Sequence, residues 1–165
     1  MSARKLTFSA LFIAIGTLTS NMIFIPIGMS KITPIQHIIN VLSAVVLGPG
    51  YAVVNAFMIS LLRNLLGTGS LLAFPGSMIG ACLAGVLYVI TKRKIFAVFG
   101  EVLGTGIIGA IASFPIAKFL LGQNVAAFFF VVPFLMSTVC GSLIAWVVLT
   151  ALEKNRSISK YFPMR

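Results

Sequence analysis

Residues 64–91 read NLLGTGSLLAFPGSMIGACLAGVLYVIT, 28 positions without a charge. A helix that crosses a bilayer needs about 20 mostly apolar residues. This stretch is long enough to hold one, entered through the Gly67-Thr68-Gly69 turn and left at Lys92-Arg93-Lys94. Outward from it the pattern repeats, since residues 6–30, 32–62 and 119–152 are also free of formal charge. Of 165 residues, 59% are hydrophobic and 8% charged, against about 25% charged in a soluble domain. So few charges cannot cover a water-exposed surface, and the expected fold is an all-α integral membrane protein.

About six transmembrane helices are expected in a single domain spanning residues 1–165. Their segments are 6–25, stopped by Pro26 and Gly28; 34–47, stopped by Gly48-Pro49-Gly50; 51–66; 71–91; 95–121; and 128–152. Pro115 is expected to kink or end the fifth, and Pro133 falls in the first turns of the sixth. Segments 34–47 and 51–66 are short for a hydrocarbon core of about 30 Å. They fit either two spans sheltered by protein or a re-entrant pair, and both arrangements suit the border of a binding cavity.

The charges set an orientation. Arg4, Lys5, Lys92, Arg93, Lys94, Lys154, Arg156, Lys160 and Arg165 all fall at one end of a six-crossing chain, against Lys31 and Lys118 at the other. Basic residues favour the cytoplasmic side, so both termini are expected there. This bias accounts for the net charge of +10 without nucleic acid as a partner. The first apolar stretch follows Arg4-Lys5 as a signal peptide would, but it is long enough to span and has no clear small-residue cleavage site. It is expected to stay.

The acids are Glu101 and Glu153, with no Asp. Paired-carboxylate hydrolysis and acidic metal cages therefore lack their ligands. The chain has one histidine and neither GxxxxGK[ST] nor GxSxG, so no catalytic residue, metal or cofactor is expected. Cys82 and Cys140 lie inside apolar runs and read as buried free thiols.

The polar residues within the apolar segments are the candidate site. Arg63 is costly at membrane depth and marks a functional site by default, with snorkelling to the headgroups as its structural alternative. Asn21, Gln36, His37, Asn40 and Asn64 lie towards the same outer end. Gln36 and Asn40 share a helix face, and His37 is turned away from them by about 100°. Thr68 caps the group from the glycine turn, and Phe74 and Phe130 offer apolar walls. Glu101 reads as a structural anchor, a proton site or a partner for Arg63. Small residues recur at spacing four, as in Gly76, Gly80 and Ala84 and in Ser137, Gly141 and Ala145, a spacing that lets helices approach closely.

Several stretches carry a family likeness. They are Pro34-Ile35-Gln36-His37 with Asn40; Leu47-Gly48-Pro49-Gly50-Tyr51-Ala52; LLRNLLGTGSLLAFPGSM over 61–78; and GEVLGTGIIG over 100–109. The chain resembles the S components of energy-coupling factor (ECF) vitamin transporters, and within them the ThiW family, associated with the thiazole precursor of thiamin. The resemblance implies a substrate-binding subunit in a prokaryotic cytoplasmic membrane. Its partners would be a transmembrane coupling subunit and two cytoplasmic ATPases, on which it topples to release substrate inside. The resemblance also implies a docking surface on the first helix, at Ala10 and Ala14. Two rivals stand beside it: a stand-alone proton-coupled or facilitative carrier using Glu101, and a structural subunit of a membrane complex.

Overall fold

A computed structural model describes residues 3–20, 22, 25–27 and 30–155. Six helices carry the fold: α1 (Ala3–Thr19), α2 (Pro34–Val46), α3 (Pro49–Leu65), α4 (Ala73–Thr91), α5 (Lys94–Leu120) and α6 (Val131–Lys154). Three of them, α4, α5 and α6, are long and apolar enough to cross a membrane. The bundle is turned inside out relative to a soluble protein. Leu6, Leu18, Ile90, Phe99, Phe119 and Val147 are exposed, while Asn40, Asn55, Ser60 and Glu101 are fully buried. Only an apolar solvent makes that arrangement favourable, and the chain is an all-α membrane protein.

The first segment ends early. Helix α1 stops at Thr19, and Ile25–Ile27 (β1) and Ser30–Ile32 (β2) pair as an antiparallel ladder, with Pro26 opposite Lys31. Proline removes a helical hydrogen bond, and the flanking β-branched isoleucines favour extended backbone.

Gly48, at φ 97°, turns α2 into α3, with Pro49 opening the new helix. Helix α2 is only 13 residues long, and most of them are buried. It packs against α3, α4, α5 and α6, so its backbone is sheltered by protein. At 1.5 Å per residue it is about 20 Å long, and its first turn therefore lies at depth within the bundle.

Helix α5 passes through Pro115 without ending. Wide π-helical turns occupy Gly104–Gly109 and Ile116–Leu120, and such turns, like proline, are places where a helix bends without ending. Small residues hold α4 against α5: a Cβ on Gly104 would lie 2.6 Å from the Gly80 Cα. Likewise a Cβ on Gly141 would lie 2.8 Å from the His37 Cβ, so this glycine lets α6 close on the first turn of α2. The two cysteines are free thiols but exposed, contrary to the buried reading. In a membrane protein the outer face is as apolar as the core, so an apolar run does not reveal which side a thiol takes.

Three contacts mark one end of the bundle. Lys94 pairs with Glu153 and also donates to the Thr150 Oγ1 at 3.2 Å. Lys5 lies over the Tyr51 ring, 6.0 Å from its centroid. A buried chain runs between α1, α3 and α2 in this half: the Ser9 hydroxyl donates to the Asn55 Oδ1, and the Asn55 Nδ2 donates to the Ser43 Oγ at 3.0 Å.

Candidate functional site

The opposite end of the bundle holds a cavity of about 1100 Å³. Several elements converge on it: the end of α1 at Ser20, the start of α2, the end of α3 at Arg63, the 67–70 turn with the start of α4, the 123–126 connection, and the start of α6. Antiparallel helices necessarily bring these alternate ends together.

One wall is apolar. Phe129 and Phe130 meet edge to face at 5.3 Å, and Phe130 lies 6.1 Å from Phe134. All three line the cavity.

The other wall is polar and rests on buried hydrogen bonds. The Arg63 Nη1 donates to the Gln36 Oε1 at 2.6 Å. The Gln36 Nε2 then donates to the Ser60 Oγ at 2.8 Å, which lies 3.1 Å from the Ser77 Oγ. Gln36 and Arg63 are 2% and 6% exposed, so the guanidinium is held inside the bundle rather than at the headgroups. The Arg63 Nε has no partner among the described residues.

Behind this wall lies the intramembrane acid. Glu101 is fully buried, and its Oε1 receives the His37 Nδ1 at 2.8 Å and the Asn40 Nδ2 at 3.0 Å. The Thr105 Oγ1 lies 3.0 Å from both Glu101 Oε1 and the Gly76 carbonyl. The Glu101 Oε2 has no partner among the described residues. His37 itself borders the cavity; with Nδ1 held by Glu101, its Nε2 is the ring nitrogen available to a ligand.

The structure therefore gathers Gln36, His37, Arg63, Thr68 and Phe130 around one cavity and sets the other candidates apart. Asn40 lies beneath, where its Nδ2 also donates to the Ser77 carbonyl at 3.2 Å. Asn64 bridges the α3–α4 turn, donating to the carbonyls of Ser60 and Ser70. Phe74 packs on Phe57 at 5.7 Å instead of lining the cavity. Asn21 lies outside the described residues. Glu101 pairs with His37, and Arg63 with Gln36. Because Gln36 and His37 are adjacent, about 100° apart on α2, the cation and the acid meet this helix on different faces.

Sequence reading missed Gln123, Asn124, Phe129, Phe134 and Ser137, all of which line the cavity. The signal for Gln123-Asn124 was available: an uncharged polar pair in a connection at the same end as Arg63 and Thr68. Ala10 and Ala14 are exposed on the outside of α1.

A membrane bundle with an aromatic wall, a polar floor and an opening at one end has the build of a small-molecule binding protein. A family model described as thiamine-precursor transporter protein (ThiW) matches residues 6–155. The chain belongs to the ThiW family of thiamine-precursor transporter proteins. No curated protein matches it.

Proposed function

We propose that the chain is the substrate-capture subunit of an ECF-type transporter, taking up hydroxyethylthiazole or a related thiamin precursor. The observation that carries this reading is the cavity bordered by Gln36, His37, Arg63 and Phe130, in a member of a thiamine-precursor transporter family. The basic ends of the helices favour the cytoplasmic side for both termini and the 92–94 loop, and with that orientation the cavity opens outward, as capture requires. The chain is a transporter and not an enzyme, and energy comes from two ATPases acting through a coupling subunit. The outward-facing pair Ala10 and Ala14 offers that subunit a surface for close helix approach.

Hydroxyethylthiazole has about nine heavy atoms, and the best small ligands gain at most about 1.5 kcal/mol per atom. The bound is thus near 13 kcal/mol, and tight capture needs nearly every atom in contact. The phenylalanine wall suits the ring, and the His37 Nε2 and Gln36 suit its polar substituents.

The test is uptake of labelled thiazole in cells, with and without the ATPases. Loss of uptake without them supports the reading. Uptake that persists in ATP-depleted vesicles under a proton gradient, and fails in Glu101→Gln, favours a proton-coupled carrier. The buried Glu101 Oε2, without a partner among the described residues, is the observation on that side.

A further inference from the structure

We infer that the cavity is built for a ligand carrying an anionic oxygen group, a carboxylate or a phosphate monoester, held between Arg63 and the first turn of α2. The inference rests on the cavity being the capture site and names the charge of what it captures.

Arg63 comes first. Its guanidinium is buried, borders the cavity, and makes no ion pair among the described residues. Gln36 holds its Nη1 but brings no charge, and the Nε has no partner among the described residues. A buried cation without a counter-ion is expensive, and a ligand that supplies the charge removes that cost. The acid deepest in the bundle does not serve, because the Glu101 Oε1 is engaged by His37 and Asn40. Neither Glu101 nor Glu153 borders the cavity.

The start of α2 is the second, independent observation. Thr33 makes no side-chain cap there, although Pro34, Gln36 and His37 are buried. A helix start leaves backbone amides in want of acceptors and carries partial positive charge. Pro34 has no amide to offer, so the donors begin at Ile35. Buried helix ends normally find a partner, and Thr33, Gln36 and His37 all border the cavity. The 2.6 Å bond from Arg63 to Gln36 sets the guanidinium beside this same turn. Two donors of different kinds thus meet at one place, and planar guanidinium suits carboxylate and phosphate alike.

Size agrees. A nine-atom alcohol fills a small part of about 1100 Å³, which leaves room for a charged substituent.

The experiment is calorimetry on the detergent-purified full chain with four probes: hydroxyethylthiazole, its phosphate monoester, the corresponding thiazole carboxylate, and inorganic phosphate. Each is repeated with Arg63→Gln and Arg63→Lys. At least one anionic thiazole should bind more than tenfold tighter than the alcohol. Arg63→Gln should erase that preference, and Arg63→Lys should keep part of it. The two anionic arms show which oxyanion is read. The comparison within the unaltered chain needs no variant to fold. An alcohol that binds as tightly as both anions overturns the inference. If no thiazole binds but inorganic phosphate does, through Arg63, the anion site stands and the thiazole reading falls. If nothing binds, both fall.

Discussion

Replacing Glu101 with alanine removes the acceptor that joins α5 to α2. The Glu101 Oε1 serves His37 at 2.8 Å, Asn40 at 3.0 Å and Thr105 at 3.0 Å. Two of these donors have a second acceptor: Asn40 reaches the Ser77 carbonyl and Thr105 the Gly76 carbonyl. His37 has no second acceptor for Nδ1 among the described residues, and one of the two Asn40 amide hydrogens also loses its acceptor. One stranded buried donor costs about 1–3 kcal/mol, and the space left by the carboxylate adds to that. Relief from burying the carboxylate offsets part of the sum. The expected loss is about 3 kcal/mol, within the range for breaking buried polar pairs, or a fall in melting temperature of roughly 6–12 °C for a chain of this size. Glu101→Gln keeps the Oε1 acceptor and should cost less, about 1–2 kcal/mol. His37→Phe should be cheaper in the Glu101→Ala background than alone, with a coupling of about 1.5 kcal/mol or more. Thermal melts in detergent of the four members of the cycle measure this. If Glu101→Ala melts with the unaltered chain, or the two costs simply add, the pair does not hold the floor together.

Three further outcomes are expected. In a background lacking Cys82 and Cys140, a cysteine in the 92–94 loop should resist impermeant thiol reagents in intact cells, while one at Asn124 should react and be protected by ligand. Ala10→Leu with Ala14→Leu should cut uptake several-fold and leave ligand affinity of the isolated chain nearly unchanged, because both side chains are exposed; binding assays beside uptake separate the two effects. Gly141→Leu should cost about 1–3 kcal/mol by overpacking, and should weaken binding as well, because its added Cβ meets His37.

Helix positions were legible because charge and glycine punctuate the chain. Lys92-Arg93-Lys94 separates α4 from α5, and Gly48-Pro49 separates α2 from α3. The paired strands at 25–27 and 30–32 were not, because the first segment was expected to run to Ile25 and stop at Pro26, and nothing in the residues beyond it marked a ladder. Arg63 was legible as a site residue because a buried charge needs a reason. The assignment of Glu101 was not, because its partner depends on how far α2 sinks into the bundle, and sequence depth alone put His37 near the outer face. Aromatics posed the opposite problem. Phe74 and Phe130 look alike in sequence, yet only Phe130 turns to the cavity, since lipid and core both accept an apolar ring. The exposed thiols of Cys82 and Cys140 follow from the same symmetry.

The central claim is that this chain alone captures a thiamin precursor in the cavity between α2, α3 and α6. The direct measurement is calorimetric titration of the purified chain with the thiazole alcohol and its anionic forms, alongside Ser137→Trp. Ser137 is buried and lines the cavity, so tryptophan there fills the site. Saturable binding at one ligand per chain is expected, lost in Ser137→Trp while the melting temperature is largely kept. Absence of saturable binding by the unaltered chain, or equal affinity with the cavity filled, would contradict it.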